Sequence, residues 1–255
     1  MKKIIILMLP VLVLLSSGVY LFSLSDEREP QSPVLGDSKP QASSDNTVAL
    51  GEYEALWYQV EDVDRLVLGS NLKAKEAASG LFEDQACSFL INGGFYSPEL
   101  EHLGLFLTEG ETLSPVQENV LLNGFVSINS LGIPKIGVLP DEELRLAMQT
   151  GPMLVANGEY KELTLTSDKY ARRSIAMVTG SNELVFMIVY SGETRFSGPL
   201  LAETPELIRI FGQKTGLPIA DAINLDGGKA SAFITERVAL TELSTIGSYF
   251  CMEAN

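Results

Sequence analysis

The chain has one histidine, two cysteines and little positive charge: 18 Lys and Arg stand against 33 Asp and Glu, for a formal net charge of −15. With His102 alone, a Ser-His-Asp or Cys-His mechanism has a single member to draw on, and a multi-histidine metal site is excluded. His102 follows Glu101 in a stretch that reads as loop and is expected to be exposed. The acidic balance repels phosphate backbones and no basic stripe offsets it, so nucleic acid is not an expected partner. EF-hand spacing, zinc clusters and internal repeats are also missing.

What is present begins with Met1-Lys2-Lys3 and a largely apolar run over 4–24, followed by the acids Asp26 and Glu27. Lysines before the run and acids after it mark an export segment whose body lies outside the cytoplasmic membrane. The run is long for a cleaved signal and close to the about 20 residues a spanning helix needs. Residues 1–24 are therefore read as a signal peptide or membrane anchor, with the anchor favoured because Val19-Tyr20-Leu21-Phe22 stays apolar beyond Ser16 and Gly18. Residues 25–49, rich in Ser, Pro, Asp and Gln, form a disordered linker that cannot bury enough apolar surface to fold. The domain is expected over 50–255.

Cys87 and Cys251 both fall in the exported part, where an oxidising compartment permits a bridge; two buried free thiols are the alternative. The body is strand-rich, with runs at 56–60, 65–68, 103–108 and 135–138 and a hairpin over 175–189 around Gly180-Ser181-Asn182. Two helices are expected. One covers 141–148, with its acidic start; the other opens at Thr204-Pro205-Glu206, carries Leu207, Ile208 and Phe211 as a stripe and stops at Gly216. The second links the strand at 184 to one at 219, which suggests a crossover. The fold class is α+β: one domain with a mixed, twisted sheet and a few helices.

Asn224-Leu225-Asp226-Gly227-Gly228 is the most informative segment, because the apolar run 219–223 breaks there into a carboxamide, a carboxylate and two glycines. An Asp-Gly hairpin turn is the bland reading. A second segment repeats the grammar: Phe89-Leu90-Ile91 runs into Asn92-Gly93-Gly94. Between the two lie Gln149-Thr150-Gly151-Pro152 and Arg172-Arg173-Ser174. These four blocks, in this order, resemble the phosphodiester glycosidase family. The resemblance implies a hydrolase that removes a sugar from a phosphodiester, and it favours Arg173 over Arg172 at the site. Lys229 departs from the family's pattern, which has a small residue there, whereas Ser231 matches the usual hydroxyl.

A sugar phosphodiester asks for a cation or amide cradle and for a carboxyl group that moves protons. Asp226 is the candidate acid or base, with Asn224 to orient it and Arg173 to grip phosphate. Gln149 would orient a sugar hydroxyl or the attacking water, or else be a structural amide. Asn92 with the Gly93 and Gly94 N–H groups would form an anion nest or hold sugar hydroxyls, and Gly227, Gly228 and Ser231 complete the substrate-binding set. Glu99, Glu101 and Asp221 are open as a second carboxylate. No cofactor is identified; Asn224 and Asp226 are oxygen ligands that leave a divalent cation such as calcium open. The leading expectation is an exported glycosidase acting on envelope or exopolysaccharide material. The alternative is a non-catalytic carbohydrate-binding or exopolysaccharide-assembly module of the same fold.

Overall fold

Alternation along one strand shows how the core is organised. Over 184–190 the apolar run Leu-Val-Phe-Met-Ile-Val-Tyr sends Leu184, Phe186, Ile188 and Tyr190 into one cluster and Val185, Met187 and Val189 into another. Both faces of this strand are covered, so a continuous apolar run is what it requires. The structure, a computed structural model, describes residues 46–254. The expected anchor at 1–24 and the linker up to 45 lie outside the described residues.

In chain order the elements begin with β1 (Asn46–Leu50), β2 (Tyr53–Gln59), β3 (Leu66–Ser70), α1 (Ala78–Asp84) and β4 (Cys87–Asn92). Next come β5 (Phe106–Thr108), β6 (Glu111–Ser114), β7 (Gly124–Asn129), β8 (Pro134–Gly137) and β9 (Leu144–Thr150). They are followed by β10 (Met153–Ala156), β11 (Glu159–Tyr160), β12 (Arg173–Thr179), β13 (Leu184–Ser191) and α2 (Thr204–Thr215). The chain closes with β14 (Ile219–Asn224), β15 (Phe233–Thr235), β16 (Ala239–Leu240) and β17 (Ser248–Glu253). β1 opens four residues before the expected domain start at 50.

These strands form three sheets: β1-β2-β13-β12-β14-β10-β11, β16-β15-β4-β17-β3 and β6-β5-β9-β7-β8. The α+β class holds. The single mixed sheet does not, since every strand pairing among the described residues is antiparallel. The 175–189 hairpin forms as expected, and α2 does carry the chain from β13 to β14, which flank β12.

Phe89, Phe233 and Phe250 of the second sheet, Val126 and Met148 of the third and Ile188 and Ile223 of the first share one core, so the three sheets wrap a common interior. On the outer face of the first sheet α2 buries Leu207, Ile208 and Phe211, with Trp57 meeting Phe211 edge to face at 5.5 Å. Pro205 sits in the first turn and Gly216 ends the helix at φ +76°, where a glycine has no steric cost.

The helix expected over 141–148 is instead the central strand of the third sheet. Leu146 and Met148 both enter the common core at a spacing of two, and β5 and β7 pair with this segment from either side. Tertiary pairing overrides the helical start signal, and Glu142 is used by Asn129 and Lys135 instead. Cys87 and Cys251 are bridged with their Cα atoms 5.6 Å apart, which ties β17 to β4, the strand that ends at Asn92.

Candidate active site

β14 delivers the chain to Asp226, and the backbone there is held from both sides. The Leu225 N–H donates to the Ser174 carbonyl at 2.8 Å, the Asp226 N–H to the Gly93 carbonyl at 3.0 Å and the Gly228 N–H to the Arg172 carbonyl at 2.9 Å. Asn92, 1% exposed, is the junction. Its Nδ2 donates to the Asp226 carbonyl at 2.5 Å, and its Oδ1 accepts from Ser174 Oγ at 2.7 Å and from the Ala232 N–H at 3.0 Å. One amide therefore stitches β4 of the second sheet to β12 and the Asp226 turn. The hairpin reading of Asp226-Gly227 fails: the chain crosses from the first sheet to β15 of the second.

Asp226 lines a cleft of about 750 Å³. Burial pushes its carboxyl up to about 7, against the opposing hydrogen bond that Oδ1 accepts from the Gly227 N–H at 2.8 Å. The same cleft is lined by Arg173, Asp168, Lys169 and Asn224. Register explains the meeting: Ile175 lies opposite Asn224, so the two strands carry Arg173 and Asp226 to one rim. All four sequence blocks reach this cleft, through Phe95, Gly151 and Pro152, Arg173, and Asn224 with Gly227 and Gly228. They come from different sheets.

Arg173 is fixed, not free. Its Nε donates to the Pro199 carbonyl at 3.0 Å, and Nη2 donates to Asp168 Oδ1 at 3.0 Å and to the Lys169 carbonyl. Nη1 has no acceptor among the described residues, which leaves one N–H face for an anion. Arg172, 1% exposed, points elsewhere and donates to the Ser231 and Thr241 carbonyls, each at 2.8 Å. Asp168 was not singled out by the sequence; it sits in an irregular stretch with no motif around it. Its burial would raise its carboxyl, but the Ala202 and Leu201 N–H groups, at 2.9 and 3.0 Å, and the Arg173 guanidinium outweigh that and hold it below the usual range. Two carboxyl groups in one cleft are thus pushed in opposite directions.

Several expected site residues are structural. Gln149 is buried and every function of its amide is engaged: Oε1 accepts from the Leu105 and Gln117 N–H groups, and Nε2 donates to the Gln117 and Leu122 carbonyls. It does not line the cleft, so it neither orients a hydroxyl nor holds the water. The Gly93 and Gly94 N–H groups donate to the Ser248 carbonyl and to Ser248 Oγ, so the expected anion nest is closed. Their glycine identity answers close packing: a Cβ would lie 2.4 Å from Ser248 Oγ at Gly93 and 2.9 Å from Met148 Sδ at Gly94. Ser231 is fully buried and donates to the Gly228 carbonyl at 2.6 Å.

Asn224 lines the cleft but does not bond to the Asp226 side chain. Its Nδ2 donates to the Gly151 carbonyl at 3.0 Å, and its Oδ1 has no partner. Glu99 and Glu101 are exposed on the loop that Ser97 caps, and Asp221 accepts from the Asn157 N–H at 2.8 Å; none lines the cleft. Lys229 is exposed and also outside the lining. His102 is not the exposed residue expected: it is 8% exposed, stacked on Phe106 and 2.8 Å from Ser70 Oγ, and burial lowers its ring to about 4. No group of three His, Cys, Asp or Glu side chains among the described residues is placed to hold a metal ion.

Three facts now converge: a strand-end Asp-Gly-Gly turn, a half-buried, ion-paired arginine in the same cleft and three antiparallel sheets around one core. Residues 85–248 match the phosphodiester glycosidase family, and the chain belongs to it. The fold is similar to the catalytic domain of zebrafish N-acetylglucosamine-1-phosphodiester alpha-N-acetylglucosaminidase, solved in a form auto-inhibited by its pro-peptide. The match has a TM-score of 0.64 at 15% identity and covers 83% of this chain and 81% of that one. A hypothetical protein from Synechocystis matches with a TM-score of 0.61 at 13% identity, over 81% of this chain and 61% of that one. A putative exported protein from Burkholderia pseudomallei matches at 0.50 and 9% identity, over 79% and 74%. No curated protein matches the chain.

Proposed function

We propose that the protein is an exported, membrane-tethered hydrolase that cleaves a sugar from a glycosyl phosphodiester in envelope or exopolysaccharide material. The observation that carries this reading is the pairing, in one cleft, of a carboxyl group that titrates at about 7 with a fixed arginine. The export part rests on Lys2, Lys3 and the apolar run after them.

A phosphate monoester leaves readily as an anion, its second pKa being about 6, so breaking the anomeric C–O bond calls on charge neutralisation more than on proton donation. Arg173 supplies that, through the N–H groups not engaged by Asp168. The proton that has to move belongs to the attacking water, and ionised Asp226 takes it as the general base. Asn224 lines the cleft and donates Nδ2 to the Gly151 carbonyl, which ties the Gly151-Pro152 block to the strand that leads to Asp226.

The test is turnover of aryl phosphodiesters of N-acetylglucosamine and other hexoses, with and without chelator. Release of free sugar that rises with pH through about 7 and is insensitive to chelator supports the reading. Tight sugar binding without release of any product favours the assembly module, and loss of rate with chelator brings calcium at Asn224 and Asp226 back.

A further inference from the structure

The cleft is lined by two unlike sets of side chains: the charged and polar Arg173, Lys169, Asn224 and Asp226, and the apolar Phe95, Leu103, Leu121 and Leu122. The apolar wall is built, not incidental. The Leu103 N–H donates to the Phe95 carbonyl at 3.0 Å, and the buried Gln149 amide clamps the backbone at Leu105, Gln117 and Leu122 together. Asn119 Oδ1 accepts from the Leu121 and Leu122 N–H groups at 2.8 and 3.2 Å, which holds Leu121 in place from its own loop. Gly151 fits underneath only because it lacks a side chain: a Cβ there would lie 2.1 Å from the Leu121 carbonyl oxygen.

On this clamped loop Leu121 is 57% exposed and its neighbour Val120 is 89% exposed. A leucine fixed at the mouth of a cleft, with a second aliphatic residue beside it, keeps apolar surface in water that a ligand would remove. Arg173, Asp226 and these leucines line the same cleft, so a phosphodiester anchored at Arg173, with its sugar at Asp226, has its second ester arm left to occupy the leucines.

We infer that this second arm is apolar: the substrate is a sugar phosphate esterified to an alkyl, prenyl or aryl alcohol, whose chain lies along Phe95, Leu103 and Leu121. The inference rests on the hydrolase reading above and adds the substrate class to it. In the reaction, water adds its hydroxyl to the anomeric carbon, the anomeric C–O bond breaks, and the alkyl phosphate departs as the anion while Asp226 holds the proton. The alcohol's own ester bond is untouched.

The experiment uses the full chain in two arms. In the first, octyl phosphate and methyl phosphate are titrated by calorimetry; in the second, kcat/KM is compared for octyl and methyl diesters of the sugar phosphate turned over best. A fully buried methylene is worth roughly a fourfold gain, so even partial burial of the octyl chain should favour it by at least about tenfold in both arms. Leu121→Ser and Leu103→Asn should each reduce that ratio several-fold, and the exposure of Leu121 removes any concern about folding for the first. Equal binding of the two phosphates, or a preference that survives both substitutions, overturns the inference. Equal rates on the two diesters overturn it while leaving the hydrolase intact; an octyl preference without turnover upholds the apolar wall and sinks the hydrolase instead.

Discussion

The Asn-Gly-Gly turn at 92–94 and the Asp-Gly-Gly turn at 226–228 share a grammar and have opposite fates. At 92–94 an apolar strand meets Asn and two glycines, and every polar group faces inward: Asn92 binds the Asp226 turn, and the Gly93 and Gly94 N–H groups bind Ser248. At 226–228 a strand again runs into a polar residue and two glycines, but here Asp226, Gly227 and Gly228 line a cleft. The difference lies in what packs opposite. β17 covers the first turn through Tyr249 and Ser248, whereas the second faces the irregular stretch 164–171 across open space. One turn is the joint and the other is the tool it holds.

Asp226→Asn should break the outward turn most severely. With Asp226 as the proposed base, kcat on an aryl sugar phosphodiester is expected to fall by about 10²- to 10⁴-fold. Stability should move the other way. The folded pKa of about 7 lies above the ordinary value of 3.8, so the folded state holds its proton more tightly and the buried carboxylate destabilises the protein once ionised. The substituted protein should therefore melt higher than the native one at and above pH 7, with the gain shrinking as pH falls from 7 toward 4. An unchanged pH–rate profile in the native enzyme across 6 to 8 would remove Asp226 from this role.

Asn92→Ala tests the inward turn. It strands the Ala232 N–H and the Asp226 carbonyl in the interior, and a loss of about 2–4 kcal/mol in denaturant unfolding is expected. Activity should fall with stability, because the Asp226 backbone loses its donor from β4. A neutral result would mean that the two turns are not coupled.

Arg173→Ala sharpens the comparison on the ligand side. A charge-assisted hydrogen bond contributes about 1.5–3 kcal/mol, so KM for a phosphodiester should rise by roughly 10- to 150-fold, with little change in affinity for the neutral sugar. Isothermal titration of both ligands decides it; an equal loss for the two would assign Arg173 to holding Asp168 alone.

The smallest expected effect separates the glycines. Gly228 stands at φ +63° with no close contact beyond Ala171 Cβ at 3.7 Å, so Gly228→Ala should cost about 1 kcal/mol. Gly93→Ala meets Ser248 Oγ and should cost about 1–3 kcal/mol by overpacking. Thermal melts of the two, with a larger drop at Gly228, would reverse the assignment of packing to one turn and conformation to the other.

The sequence by itself determined the elements whose signals are local. The continuous apolar run of β13, the Thr204-Pro205 start and Gly216 stop of α2, the 175–189 hairpin and the Cys87–Cys251 pairing were all legible, because each rests on residues within a few positions or on a single available connectivity. The four blocks also pointed to Asp226 and one of two adjacent arginines, and the structure brings Asp226 and Arg173 to one cleft. Only the tertiary structure decided which polar groups are free. Gln149, Asn92 and Ser231 read as site residues, but their hydrogen bonds go to backbone groups as near as 3 and as far as 140 residues away, and no local pattern records that. The same holds for β9, where pairing from both sides outweighs an acidic helix start, and for Asp168, which becomes a partner of Arg173 only because the N–H groups of Leu201 and Ala202 lie beside it. Hydrogen-bond satisfaction is a property of the packed chain: a polar side chain becomes available for chemistry only where packing leaves it without a partner.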